Sequence, residues 1–301
     1  MRRLMAGLMA AGMVFSLAGC GQKAAADTDV DKSTAANVTE AASAAGETKA
    51  AESARETKKD EAGQAESQEA KVTFTVGFDQ DFPPMGFVGD DGEYTGFDLE
   101  LAQEVAKRLG FEYVPQPIAW DSKDMELNSG TIDCIWNGFT MNGREDDYTW
   151  SKPYMNNSQV FVVAADSGIA KAEDLAGKVV EVQADSSAEA ALKDLPDLTA
   201  TFGTLQTTPD YNAAFRDLEM GAVDAIAMDV IVAGYQIGKR GDGFVILDEE
   251  LSQEAYAIGF KKGNEALRDQ VQSTLEEMAA DGTLKSISEK WFGRDITTIG
   301  N

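Results

Sequence analysis

From residue 71 onward, short apolar runs alternate with stretches whose apolar positions recur every three or four residues. The runs at 72–76, 159–164, 178–183, 222–228 and 255–260 predict strands, being short, β-branched and bounded by glycine, aspartate or other turn formers. Asp98 reads as the N-cap of a helix with Leu101, Val105 and Leu109 on one face, closed by Gly110. Lys107 and Arg108 fall in its last turn, where cations suit the helix dipole. Asn264 reads as the cap of a second helix, with Leu267, Val271, Leu275 and Met278 inward and Asp281-Gly282 at its end. Strands alternating with helices predict an α/β fold with parallel sheets.

The first seventy residues follow a different pattern. Arg2 and Arg3 precede an apolar stretch at 4–17, which is too short for a typical bilayer span and matches a secretory leader. It ends in Leu17-Ala18-Gly19-Cys20, which resembles the lipobox of bacterial lipoproteins. The resemblance implies a signal peptide over 1–19 and a lipid on Cys20, hence an extracytoplasmic, membrane-anchored lipoprotein. Residues 20–70 then read as the lipidated cysteine and a disordered linker. That segment is mostly Ala, Glu, Ser, Thr, Lys and Asp without aromatics, and has too little apolar surface to offset the entropy of ordering it. As a flexible coil its reach would be roughly 40 Å.

Composition narrows the chemistry. The chain has 52 acidic and 26 basic residues, a net charge of −26. Loss of Arg2 and Arg3 with the leader would take the charge to −28, which argues against nucleic acid as a partner. There is no histidine, so the commonest general base and metal ligand are missing, and neither a metal nor a cofactor is expected. Of two cysteines, Cys20 is assigned to the lipid and Cys134 to a buried strand, leaving no disulfide.

The segment Asp133-Cys134-Ile135-Trp136-Asn137-Gly138-Phe139-Thr140-Met141-Asn142-Gly143-Arg144 carries the first functional signal. An apolar strand stops at small polar residues, and one arginine follows. A guanidinium is a planar fork of donors that matches a carboxylate, and open α/β sheets bind small molecules beyond their strand ends. An internal echo adds to this. Residues 127–135 and 218–226 share a helix end, a glycine, an aspartate and a buried strand, with the second strand running to Asp229. Two lobes built alike would set Arg144 and Asp229 across a cleft, the pair of charges that an α-amino acid needs.

The order of motifs resembles the extracytoplasmic solute-binding proteins of polar amino-acid ABC importers, the group with glutamine-, histidine- and lysine/arginine/ornithine-binding proteins. Its opening is present as Gly77-Phe78-Asp79-Gln80-Asp81-Phe82-Pro83-Pro84-Met85, then Gly96-Phe97-Asp98-Leu99-Glu100-Leu101. Tyr148-Thr149-Trp150-Ser151-Lys152-Pro153-Tyr154, the Asp174–Val180 segment before Asp185-Ser186-Ser187, and the tail from Gly282-Thr283-Leu284 to Trp291-Phe292-Gly293 continue it. The resemblance implies the type II periplasmic-binding-protein fold: two Rossmann-like lobes joined by two hinge strands. Lobe 1 is expected over 71–158 and 260–301, and lobe 2 over 159–259. The crossovers are expected at 159–163 and 255–260.

Carried onto this sequence, the family pattern implies Arg144 for the ligand α-carboxylate, with Ser186 and Ser187 completing that site from the other lobe. Asp229 would take the α-ammonium, helped by Thr140 and a carbonyl near Asn137 or Gly138. Phe82 and Trp120 would line the cleft, and Asp79 would meet the side-chain end. Two departures stand out. Thr140 and Arg144 are four residues apart, one closer than in better-known relatives, and Asn137-Gly138 stands where relatives often carry two serines. The competing readings are core packing for Phe82 and Trp120, helix capping for Ser186, Ser187 and Asp229, a turn for Asp79, and solvated positions for Asp81, Asp121 and Asp124.

The expected function is capture of a polar L-amino acid, with a lean toward basic ones through Asp79. Delivery would be to the permease of an ABC importer by a monomeric, non-enzymatic binding protein. The alternatives are a cyclohexadienyl or arogenate dehydratase on the same fold, and a sensory amino-acid-binding module.

Overall fold

The computed structural model describes residues 71–300. The leader at 1–19, Cys20, the linker to residue 70 and Asn301 lie outside the described residues. In chain order the elements are β1 (Thr73–Phe78), β2 (Asp81–Phe82), β3 (Gly86–Val88), β4 (Tyr94–Thr95), α1 (Phe97–Leu109), β5 (Glu112–Pro117), α2 (Lys123–Ser129), β6 (Cys134–Ile135), β7 (Thr149–Trp150), β8 (Met155–Ala164), β9 (Val179–Gln183), α3 (Ser187–Lys193), α4 (Pro196–Thr199), β10 (Thr204–Thr208), α5 (Tyr211–Glu219), β11 (Ala225–Asp229), α6 (Val230–Arg240), β12 (Phe244–Tyr256), β13 (Gly259–Phe260), α7 (Glu265–Ala280) and α8 (Thr283–Phe292).

Two five-stranded sheets organise two lobes. The first has the order β5-β1-β6-β13-β7 and the second β10-β9-β11-β8-β12. In each, three parallel strands (β5, β1, β6 and β10, β9, β11) are followed by one antiparallel strand, β13 or β8, and a fifth that pairs antiparallel with it, β7 or β12. The strand order reverses around β1 and around β9, and ligands in such sheets gather at the strand ends beside that reversal.

The internal echo has a common mechanical basis. Asp133 accepts a hydrogen bond from the Thr75 amide at 2.7 Å and returns its own amide to the Thr75 carbonyl at 2.8 Å. Asp224 repeats the exchange with Val179, at 2.8 Å in both directions. Each aspartate thus clips the incoming strand to the first strand of its lobe. The preceding turns place Gly130 and Gly221 at φ 82 and 70, a region costly for other residues.

Several boundaries differ from the sequence reading. The 222–228 strand starts only at Ala225, since Asp224 serves as the clip. The 255–260 run is divided, with Tyr256 ending β12 in the second sheet and Gly259 starting β13 in the first. β8 starts at Met155, through the polar stretch Asn156-Asn157-Ser158, because β12 supplies its backbone partners there. The chain therefore leaves the first sheet after Trp150 and enters the second at Met155, and it returns between Tyr256 and Gly259.

Asp98 is not the cap of α1. Gly96 occupies that position at φ 146, and Asp98 is the second helical residue, fully buried. Asn264 does precede α7, but its side chain makes no capping bond. Of the residues expected inward on α1 and α7, Leu101, Val105, Val271, Leu275 and Met278 are buried, while Leu109 and Leu267 are partly buried against the core. Cys134 is buried inside this core, and burial pushes its thiol well above the ordinary range, so it is an inert packing residue. Among the described residues no helix is long and apolar enough to cross a membrane.

A Cβ added at Gly96 would lie 2.2 Å from the Met85 carbonyl oxygen, on a backbone conformation that L residues avoid. Gly96→Ala is expected to lower unfolding free energy by roughly 2–4 kcal/mol in urea titrations, through collision and backbone strain together.

Candidate functional site

The strand ends and loops between the lobes bring most of the expected residues together. Arg144, on the loop between β6 and β7, donates to the Ser187 hydroxyl at 3.1 Å and to the Asp185 carbonyl at 3.4 Å, both in the second lobe. Its own lobe holds it by the Thr140 carbonyl at 3.2 Å and the Phe139 ring, 5.3 Å from the guanidinium carbon. The shortened loop therefore still delivers the arginine to the cleft. Ser186 is buried and caps α3 by accepting from the Glu189 amide at 3.2 Å, so its hydroxyl is used locally. Ser187 is the serine that meets Arg144.

Asp229 ends β11, buried, and occupies the N-cap position of α6 without making a capping bond. Its Oδ1 accepts from Asn157 at 2.8 Å, Gln159 at 2.9 Å and the Tyr256 hydroxyl at 2.7 Å. Glu254 lies beside it. Its Oε1 accepts from the same two amides, at 2.6 Å each, and from the Thr140 hydroxyl at 2.9 Å. Burial first, and the neighbouring Glu254 charge second, push the Asp229 carboxyl up to about 7.

Asp79 stands at the end of β1, buried and bonded across the cleft to Gln183 at 2.7 Å. Burial raises its carboxyl to about 6. The Asp81 amide and Gln183 pull it down, while the Asp81 and Asp210 charges add to the rise. Asp79, Asp81, Asp121, Asp210 and Trp120 share the lining of one cavity of about 500 Å³. Asp81 and Asp121 thus face a pocket rather than solvent alone, and Asp81 also accepts from Asn212 of the second lobe at 2.7 Å. Asp124 remains at the surface and accepts from the Tyr148 hydroxyl. Trp120 has two uses, since it lines the cavity and packs edge-on against Phe139 at 5.5 Å. Phe82 is a core residue at the lobe boundary, with its ring 6.0 Å from that of Tyr211.

Asn137 and Gly138 support the loop. The Asn137 side chain accepts from the Asp79 amide at 3.1 Å. The Gly138 amide donates to Asp98 at 2.6 Å, and Tyr154 donates to the same oxygen at 2.8 Å. Asp98 is therefore a positioning residue that the sequence reading assigned to a cap.

Other members had no sequence signal. Lys123 is buried, lies over Trp120 at 5.2 Å and pairs with Asp185 across the cleft. Asn157, Gln159 and Glu254 sit on long antiparallel strands whose polar positions look like ordinary edge residues. Gln183 could have been found, because it ends β9 as Asp79 ends β1. Among the described residues no cluster of acidic or cysteine side chains could hold a metal ion.

Residues 74–294 match the family described as bacterial extracellular solute-binding proteins, family 3. The chain belongs to this family. It is 36% identical to the L-cystine-binding protein TcyJ of Escherichia coli strain K12, over 75% of this chain and 84% of that one. It is 31% identical to the arginine-binding extracellular protein ArtP of Bacillus subtilis strain 168, over 75% and 88%. A crystal structure of an ABC uptake transporter substrate-binding protein from Streptococcus pneumoniae with bound histidine superposes with a TM-score of 0.73 and 36% identity, covering 75% of this chain and 94% of that one. All three are named as binding proteins, the one from Streptococcus pneumoniae as that of an ABC uptake transporter. This family member is accordingly an extracytoplasmic amino-acid-binding protein of the ABC-transporter class, with the type II two-lobe fold.

Burial pushes the Asp98 carboxyl up to about 7 against the opposing pull of its donors. A carboxyl raised on folding contributes most below its ordinary value near 3.8 and loses that contribution as pH climbs toward 7. Asp98→Asn removes the titration while keeping an acceptor oxygen. The stability of the unmodified protein relative to this variant should fall by about 2–4 kcal/mol between about pH 4 and pH 7, measured by urea unfolding.

Proposed function

We propose that this protein captures an α-amino acid whose far end carries a second cationic group, and passes it from a lipid anchor on Cys20 to an importer permease. The observation that carries the ligand class is the polarity of the cleft. Arg144 meets Ser187 across the lobes, and Asp79, Asp81 and Asp210 line a cavity with Trp120; on this reading the first group is the cationic and hydroxyl end of the ligand cleft and the second its carboxylate end. The α-carboxylate would lie on Arg144, the α-ammonium against Asp229 and Thr140, and the distal cation at Asp79, through charge and stacking.

Two ligand types meet that description. Arginine, recorded in the name of ArtP, offers a guanidinium. L-cystine, recorded in the name of TcyJ, offers a second ammonium together with a second carboxylate. Lys123 favours considering cystine, being a buried cation whose ammonium bonds the carbonyl of Trp120 in the cavity wall. It would serve a distal carboxylate.

Closing would turn on the paired segments Met155-Asn156-Asn157 and Glu254-Ala255-Tyr256, the two strands that connect the lobes. Lobe 1 over 71–158 and 260–301 and lobe 2 over 159–259 remain the working division. The ligand would rest on one lobe and be sealed by Ser187 and Asp229 of the other, which excludes water and strengthens both charge pairs.

Calorimetry on protein unfolded and refolded to strip carried-over amino acid tests the class, with the common amino acids, ornithine and L-cystine as titrants. Binding restricted to ligands with a distal cation is expected, and binding confined to glutamate and aspartate would overturn it. Arg144→Ala should weaken binding more than thirtyfold, about 2–5 kcal/mol, since it removes one partner of a desolvated charge pair. Asp79→Asn should weaken arginine or cystine binding about tenfold or more while changing affinity for an uncharged analogue little. Mass spectrometry of membrane-extracted protein should show acylation that Cys20→Ser abolishes.

A further inference from the structure

The hydrogen bonds around Asp229 do not balance. Two amides, one phenol and the Thr140 hydroxyl aim their hydrogens at a single oxygen of Asp229 and a single oxygen of Glu254. Because Asn157 and Gln159 each bridge both carboxylates, the two acids are held close together. The same amides leave Asn157 Oδ1 and Gln159 Oε1 buried with no hydrogen-bond donor. Asn157 and Gln159 are 7% and 0% exposed, so water does not relieve the deficit freely. Two carboxylates bridged by the same two amides, whose own carbonyl oxygens have no donor, form a site short of positive charge.

The surroundings do not supply either. Among the described residues no lysine or arginine nitrogen forms an ion pair with Asp229 or Glu254. Facing them are Tyr256 on β12 and Tyr211 on α5, both kept protonated by burial, and the neutral amides of β8. The loop after β6 contributes the Thr140 hydroxyl, with Arg144 turned to the Thr140 carbonyl and to Ser187. Val230 opens α6, and Glu250 on β12 lines the same outer hollow as Glu254, adding negative charge.

We propose that Glu254 is a second anchor for the ligand α-ammonium, and that it shares one proton with Asp229 until an amino acid enters and releases that proton to solvent. The exchange is balanced. One proton leaves the carboxylate pair, one ammonium takes its place with its three N–H bonds, and no covalent bond to carbon changes. Two close carboxylates that cannot both ionise cheaply retain one proton, and a cation removes the need for it. Glu254 lies on the connecting strand and meets Thr140 of the opposite lobe, so the same exchange ties ammonium capture to the lobe junction. This inference rests on the amino-acid reading of the cleft.

The test is calorimetry of L-arginine and L-cystine binding to the protein at about pH 6, in two buffers of different ionisation enthalpy, for the unmodified chain and Glu254→Gln. The replacement amide supplies a fixed hydrogen where the shared proton would sit. Asp79 is present in both chains, so its own titration cancels in the comparison. The unmodified chain is expected to release about one more proton per bound amino acid than the variant. Its affinity is expected to fall by about tenfold or more from pH 8 to pH 5.5, while that of the variant changes less than about threefold. Binding without buffer-dependent heat in the unmodified chain overturns this inference and leaves the functional reading standing, with no variant needed. Equal proton release by both chains also overturns it, placing the titration on Asp229 alone or elsewhere. Failure of both amino acids to bind overturns the functional reading and this inference with it.

Discussion

The cleft is governed by the cost of burying charge. A carboxylate taken out of water needs donors or a cation, and a guanidinium needs acceptors, or the closed arrangement is unstable. At an effective dielectric near 20, two carboxylates about 5 Å apart repel by about 3 kcal/mol, comparable to a good fraction of a domain's stability. Asp229 and Glu254 are arranged under that constraint, with amide and hydroxyl hydrogens focused on one oxygen each. As the proposed ammonium site it would discriminate against a neutral group, which leaves that charge uncompensated.

The same constraint explains why the lobes meet as they do. Their contacts include several polar pairs: Arg144 with Ser187, Lys123 with Asp185, Asp79 with Gln183, and Asp81 with Asn212. Beside them runs apolar contact, with Phe82 against Tyr211, Phe87 against Tyr235, and one buried apolar cluster continuous through both lobes. The polar pairs can exchange protein partners for water at modest net cost, whereas a fully apolar junction would hold the lobes shut. Asp185 adds a local feature, since it holds φ 57 while its carbonyl faces Arg144 and its carboxylate faces Lys123. A non-glycine residue in that region is sustained by contacts that over-determine it.

Much of this was readable beforehand, for a physical reason. Arg144 and Asp229 were suggested by local pattern, a polar loop after a buried run and an aspartate at the end of its echo, whereas Asp79 came only with the family resemblance. The internal echo was legible because each lobe solves the same problem, pinning a parallel strand with an aspartate after a glycine turn. Asp98 was misplaced because an aspartate near a helix start normally caps it. Nothing in the local sequence reveals that Gly138, forty residues on, needs its carboxylate. Glu254, Asn157 and Gln159 were invisible for a related reason. β8 and β12 pair over residues about a hundred positions apart, and in β8 the polar run at 156–159 reads as a loop leading into the apolar run that follows, so neither partner is visible from the other's local sequence.

The placement of Glu254 bears on how binding and closing are joined. A carboxylate on either lobe body would only add affinity. Glu254 instead lies on a connecting strand, registered opposite Asn157 on the other, and touches Thr140 beyond the junction. Whatever charge settles against it is felt by both connecting strands and by the loop that presents Arg144, since Thr140 gives its hydroxyl to Glu254 and its carbonyl to Arg144. On the proposed placement, the ammonium and carboxylate ends of one ligand would be linked through Thr140. A ligand filling only one end would leave the other end's charge unmatched. Closing would then favour a molecule carrying both charges at α-amino-acid spacing, and the junction itself would be part of the selection.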